Sequence, residues 1–320
     1  MVTLDDIQLA QSRLRGIAAR TPLIPCPHQQ PGRELYVKPE SLQPIGSFKL
    51  RGAYNKIASL TDDERHRGVI TYSSGNHAQG VAYAARALGA KSVIVMPNNA
   101  PQVKIESTRA LGAEVVFVGP ASSERKARAE ELAREHGYVV IPPYNDEKII
   151  AGAGTVGLEI LADLPDVATV LVPVGGGGLI SGVAAAVKLS GSKARVIGVE
   201  PELAADAQAS FRAGHIVEFT AEQTSRTVAD GLRTQSVGEI NFQHIRRFVD
   251  NMVTVSESEI LEAIRRMALN AKLVAEPSGA VSFAAFLFRG NQLPPAGKTV
   301  ALISGGNIEP ALLARVLSEA

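Results

Sequence analysis

Cysteine is almost absent from this chain. Cys26 stands alone among 320 residues, so no intramolecular disulfide can form and the fold has to rest on its hydrophobic core. A dominant charge is missing too: 33 lysines and arginines face 32 acids, a formal net charge of +1, spread along the chain without blocks. That excludes the electrostatic footprint of a nucleic-acid or anionic-membrane binder, and a small-molecule partner is expected. Residues 1–14 carry Asp5 and Asp6 early and lack an apolar signal-peptide core, so the cytoplasm is the expected location. The six histidines (His28, His66, His77, His136, His215 and His244) show no metal-ligand spacing. Neither a low-complexity tract nor a repeat of fixed period stands out. Residues 167–187 hold no charge and could cross a bilayer by length. Pro173 and the glycines 175–178 divide that stretch, which therefore reads as strand, loop and helix of a soluble core.

What is present is a steady alternation. Apolar, β-rich pieces at 34–38, 69–72, 92–96, 114–118, 138–141, 169–174, 195–200 and 298–303 are separated by helical spacing such as 77–88, 122–136 and 257–273. This βαβ rhythm predicts largely parallel sheets covered by helices. Gly89 and Gly112 each close a helix just before a strand. The close spacing of strands from 69 to 141 predicts a small domain, 61–145, inserted into a larger one of 1–60 and 146–320.

Four motifs carry chemistry. In Gly46-Ser47-Phe48-Lys49-Leu50-Arg51-Gly52, a turn glycine and an N-capping Ser47 precede an apolar-periodic segment, placing Lys49 in the first turn of a helix. The positive end of the helix dipole disfavours an ammonium there, a useful property for an amine acting as nucleophile or base. A solvated surface lysine is the competing reading. Ser73-Ser74-Gly75-Asn76-His77 lies between a strand and a helix, where backbone N–H groups suit a carboxylate; a plain N-cap explains it equally well. Gly175, Gly176, Gly177 and Gly178 occupy another strand-to-helix turn, where four glycines imply close approach of some group, a phosphate first among candidates. A dinucleotide site, with Glu200 on a ribose, fails on spacing because Ser181 stands where the third glycine belongs. Ser304-Gly305-Gly306-Asn307 puts a hydroxyl at the carboxyl end of the last strand.

In this order the motifs resemble the fold-type II pyridoxal-phosphate enzymes, and within them the threonine/serine dehydratase and serine racemase branch. The resemblance runs from Arg20-Thr21-Pro22-Leu23 and Lys38-Pro39-Glu40 through Pro142-Pro143-Tyr144, Gly154-Thr155 and Glu200-Pro201 to Asn307. It implies an α/β, two-domain fold similar to the tryptophan synthase β-subunit, with mostly parallel twisted sheets flanked by helices, and a homodimer. It also implies roles. Lys49 matches the lysine that binds the cofactor's aldehyde, Phe48 packs beside the ring, Asn76 bonds the 3′-oxygen, Gly175 to Gly178 cradle the phosphate and Ser304 faces the pyridine nitrogen. Ser73, Ser74, Gly75, Asn76 and His77 match the loop that takes the substrate carboxylate, with Ser74 the hydroxyl opposite the lysine in racemases. Glu200, the Ala204 carbonyl and Asp206 match a site for Mg²⁺, Mn²⁺ or Ca²⁺, an oxygen set suited to a hard cation.

The expected reaction is dehydration and deamination of L-threonine or L-serine to 2-oxobutyrate or pyruvate and ammonia. A neutral serine hydroxyl at the ring nitrogen weakens the electron sink, which favours substrates with a β-leaving group. Tyr72 and Tyr144 replace the His and Asn of animal serine racemases, and only 13 residues follow Asn307, leaving no room for a regulatory domain. Arg125 and Thr234 lie where racemase-like members place polar groups near dicarboxylates, so a serine racemase or an L-threo-3-hydroxyaspartate ammonia-lyase stays an alternative. A non-catalytic binder of a phosphorylated metabolite is the rival from another class. His77 reads as a neighbour of a helix cap, not a general base.

Overall fold

Valine- and isoleucine-rich segments become strands whose two faces are both buried, as parallel sheets require. The computed structural model describes residues 1–28, 30–73, 75–100, 102–119 and 122–318. Among them the strands are β1 (Ile24–Pro25), β2 (Arg33–Pro39), β3 (Val69–Tyr72), β4 (Ser92–Pro97), β5 (Glu114–Val118), β6 (Val139–Val140), β7 (Val167–Pro173), β8 (Arg195–Pro201), β9 (Asn251–Val255) and β10 (Gly297–Ile303). They form a six-stranded sheet in the order β1-β2-β10-β7-β8-β9 and a four-stranded sheet in the order β5-β4-β3-β6. Every pairing is parallel except that of β1 with β2. The α/β architecture expected from the alternation is the one observed.

Side-chain alternation along the large sheet separates two cores. Val170 and Val172 pack with the helices Glu147–Asp163 and Gly178–Leu189, whereas Leu171 faces the helices Glu257–Arg266 and Pro277–Phe288. Each fully buried Val, Leu or Ile contributes about 1.5–3 kcal/mol of transfer free energy, so these layers dominate stability. A third core joins the small sheet to residues outside it: Leu50, Tyr54 and Ile57 of the helix Lys49–Ala58 pack with Val81, Ile94 and Ile149. Gly89 and Gly112 have φ of +68° and +89°, the left-handed conformation that closes a helix.

Two local expectations need correction. The helix expected over 257–273 is α-helical only to Arg266; Met267–Ala271 is a π-helical turn, and Lys272, at φ 57°, ends it before Leu273. Leu273 N–H bonds back to the Met267 carbonyl, a wide turn that apolar periodicity cannot reveal. β9 carried no signal either: it is a short edge strand, paired only with β8, with the polar Asn251 and Thr254 interrupting its apolar residues. No helix among the described residues is long and apolar enough to cross a membrane, and residues 167–187 are strand, loop and helix.

Candidate active site

The carboxyl ends of β3, β7 and β10 lead directly into three loops lining one cavity of about 940 Å³. Lys49 sits on its wall as the first residue of the helix Lys49–Ala58. Ser47 is not the cap: Phe48 occupies that position without a side-chain bond, and the Ser47 hydroxyl is buried without a partner. The turn is held instead by the end of the chain. Phe48 N–H donates to the Ser304 carbonyl at 3.0 Å, Gly306 N–H to the Gly46 carbonyl at 2.9 Å, and Ser47 forms a β-bridge with Gly305. The lysine is thereby fixed relative to Ser304, 255 residues later by subtraction of their numbers.

The Lys49 amine lies 5.2 Å from the Phe48 ring centre and donates to the Pro143 carbonyl at 2.7 Å, with no carboxylate among the described residues bonded to it. Burial pulls its pKa down to about 8. The sequence anticipated a depressed amine, and desolvation is the cause of the depression.

In the loop after β3, Gly75 is the N-cap of the helix Asn76–Ala87 and offers no side-chain bond to its first N–H groups. Ser73, Gly75, Asn76 and His77 all line the cavity. Ser74 lies outside the described residues. The His77 side chain is buried, with Nε2 3.0 Å from the Ile141 carbonyl; burial, followed by the charge of Lys49, lowers its pKa to about 3. A neutral ring donating to a carbonyl is an anchor, which agrees with reading His77 as no general base.

Gly177, at φ +92°, caps the helix Gly178–Leu189 without a side chain, so the first N–H groups of that helix remain for an anion. The glycines are also needed for packing. A Cβ on Gly176 would lie 2.4 Å from the Tyr144 ring and one on Gly177 3.0 Å from Asn241. Protein atoms therefore make the close approach that the glycine run suggested, while the same loop lines the cavity. Burial, with Tyr72 and Asp206 adding to it, pushes the Tyr144 hydroxyl up to about 12. Ser304 is buried at the end of β10, and its Oγ makes one long bond of 3.4 Å to the Ser278 carbonyl. Arg125 and Thr234 line the cavity as well.

Glu200, Ala204 and Asp206 do not line this cavity. Glu200, on β8, accepts from the N–H groups of Ala207 and Gln208 at 2.9 and 2.6 Å. Neither carboxylate oxygen of the buried Asp206 has a partner in another residue. Burial and their mutual repulsion raise the Glu200 carboxyl, and burial raises that of Asp206. Among the described residues no three His, Cys, Asp or Glu side chains group as metal ligands, so any ion here would rest on two carboxylates and backbone or water oxygens.

Among the polar groups on the cavity wall that sequence reading missed are Glu276, Lys104 and Asp230. Lys104 and Asp230 form an ion pair at 3.0 Å. Glu276-Pro277 does carry a helix-start signal, an acid followed by proline at the first helical position, but that pattern says nothing of where the carboxyl points.

The chain is similar to known proteins over nearly its whole length. Over 322 aligned residues the chain is 46% identical to the L-threonine ammonia-lyase of Thermotoga maritima, covering 100% of this chain and 79% of that one. It is 38% identical to the L-threo-3-hydroxyaspartate ammonia-lyase of Saccharomyces cerevisiae, over 99% of this chain and 96% of the other. Maize serine racemase superposes with a TM-score of 0.93 at 35% identity, covering 98% and 96% of the two chains. Residues 14–305 match the family described as pyridoxal-phosphate dependent enzymes, and the chain belongs to it.

Proposed function

We propose that this chain deaminates L-threonine, L-serine or both by removing the α-proton and the β-hydroxyl, releasing ammonia and a 2-oxo acid. The observation that carries the reading is the Lys49 amine: cavity-facing, without a carboxylate partner, and depressed to about 8 by burial. The Thermotoga relative named for this activity supports it. Uncapped N–H groups at the start of the helix Gly178–Leu189 suit the cofactor phosphate, with Gly175 to Gly178 as its cradle. Phe48, Asn76 and Ser304 line the same cavity, where Phe48 would pack beside the ring, Asn76 would meet its 3′-oxygen and the Ser304 hydroxyl would face its nitrogen. Backbone donors of the Ser73–His77 loop, Ser74 included, take the substrate carboxylate.

Bound pyridoxal phosphate supplies the electron sink that makes the α-hydrogen acidic. Lys49 Nζ, half neutral near pH 8, takes that proton and holds it for transfer. Ser304, a hydroxyl, cannot keep the ring nitrogen protonated as a carboxylate would, so early loss of the β-substituent is favoured. Assays of 2-oxobutyrate from L-threonine and pyruvate from L-serine test the proposal. We expect turnover with at least one, and a drop of about 10⁴-fold in Lys49→Ala. Absence of product from both would overturn it.

A 3-hydroxyaspartate substrate is the second reading, favoured by Arg125 and Thr234 on the cavity wall and by the yeast relative. Parallel assays with that substrate, and chiral analysis of unreacted serine for racemisation, separate the readings. We further propose that Glu200, the Ala204 carbonyl and Asp206 hold Mg²⁺ or a similar cation, because the buried, unpartnered oxygens of Asp206 call for one. The division into an inserted domain of 61–145 and a larger one of 1–60 and 146–320 is supported by the separate four-stranded sheet. A cytoplasmic homodimer, the expectation that the family resemblance carries, completes the proposal, and light scattering of the purified protein tests the dimer.

A further inference from the structure

Glu276 stands at the N-cap of the helix Pro277–Phe288, where a carboxylate ordinarily bonds the helix's first N–H groups. Its side chain makes no capping bond and turns to the cavity instead. There Oε1 accepts from Asn76 Nδ2 at 2.6 Å. Asn76 Oδ1 in turn accepts from Asn307 Nδ2 at 2.7 Å, and Asn307 Nδ2 also donates to the Ile45 carbonyl at 2.9 Å. Gly305 makes the contact possible, since a Cβ there would stand 2.2 Å from Glu276 Oε1 and 3.1 Å from Asn76 Nδ2.

This network leaves the Asn76 amide one orientation. A flip would set its oxygen against the Glu276 carboxylate and its N–H₂ against that of Asn307, exchanging two hydrogen bonds for two repulsions. With the oxygen occupied and one N–H given to Glu276, a single N–H remains, on a side chain that lines the cavity. We propose that Glu276 is a positioning residue for the cofactor: it fixes the Asn76 amide so that the second N–H is presented to the cofactor's 3′-oxygen. The proposal rests on the reading of Asn76 given above and adds to it the group that orients it.

Burial, and then the charge of Asp230, push the Glu276 carboxyl up to about 7, against the opposing pull of Asn76, Lys104 and the Asn307 N–H. A carboxyl so buried would not be tolerated there without bonds to offset its desolvation, and the Asn76 bond is one of them.

Cofactor affinity, measured by titrating the cofactor-free protein with pyridoxal phosphate and following the visible absorbance of the bound form, tests the idea. Glu276→Asp keeps the charge but withdraws the acceptor by one carbon–carbon bond, and should raise Kd about tenfold. Glu276→Gln removes the charge but can still present an oxygen to Asn76, and should stay within about threefold of the parent. Asn76→Ala should weaken binding as Glu276→Asp does, and the two changes together should weaken it no further. An unchanged Kd in Glu276→Asp, or additive losses in the double variant, would overturn the role of Glu276 while leaving Asn76 in place. Parent-like binding by Asn76→Ala would instead remove Asn76 from the cofactor and the proposal with it. Should Glu276→Asp fail to fold, Glu276→Ala takes its place: an unchanged Kd there sinks the idea.

Discussion

Two sets of charges each place one member at the start of the same helix and behave in opposite ways. In the first, Arg51 bonds Glu40 at 2.7 and 2.9 Å and Glu159 at 2.7 and 3.0 Å, while Lys38 bonds Glu159 and the Thr21 carbonyl, both at 2.6 Å. Two cations meet two anions. Burial alone would raise the Glu40 carboxyl, yet Arg51 and Lys38 outweigh it and hold it below the ordinary range. In the second set, around the cavity and beside it, the half-buried Lys49 and the buried Glu276 and Glu200/Asp206 pair have no compensating charge bonded to them among the described residues, and their pKa values move toward neutrality. A saturated cluster holds one helix; an unsaturated one is ready to take up a proton, an ion or a cofactor. Arg51 belongs to the first set and Lys49 to the second, two residues apart on the same helix.

The comparison breaks most visibly if one cation is removed from the saturated set. Arg51→Leu leaves Glu40 and Glu159 facing each other with only Lys38, and should cost about 3–5 kcal/mol in urea unfolding; a loss below about 1 kcal/mol would show the cluster to be incidental. A smaller effect is expected at Lys49 in the cofactor-free protein. Its folded pKa of about 8 lies below lysine's ordinary 10.5, so between those values the unfolded chain holds a proton that the folded one lacks. Stability therefore rises with pH across that window, on the order of 2 kcal/mol after allowing for solvent in the cavity. Lys49→Met should flatten the rise; an unaltered slope would place its origin elsewhere. The smallest change concerns Asp206→Asn. Carboxyls raised above their unfolded values cost stability as pH climbs through the interval, so relieving the pair should stabilise chelated protein by about 1 kcal/mol near pH 8. Saturating Mg²⁺ should raise the melting temperature of the parent and leave the variant unmoved. Equal responses of the two would remove the cation from this site.

The unequal legibility of these regions has a physical basis. Lys49 could be singled out because glycine and serine before an apolar-periodic run mark a helix start, and a lysine there is out of place. The strand ends bearing Gly175 to Gly178 and Ser304 were legible for a similar reason: turn chemistry is local, and α/β sheets gather their loops at one end. Glu276 was not legible, since the Glu-Pro signature of a helix start is the same whether the carboxyl caps the helix or turns away. Ser47 misled, because an N-cap serine is inferred from sequence neighbours while the actual turn is tied to Gly305 and Ser304 from the far end of the chain.

Amino-acid order by itself determined the α/β alternation, the strand-to-helix turns and the lysine at a helix start, all of which arise from interactions within a few residues. Only the tertiary structure decided which buried charges found partners. That outcome depends on contacts between residues such as Arg51 and Glu159, or Asn76 and Glu276, whose separations of 108 and 200 positions no local pattern encodes.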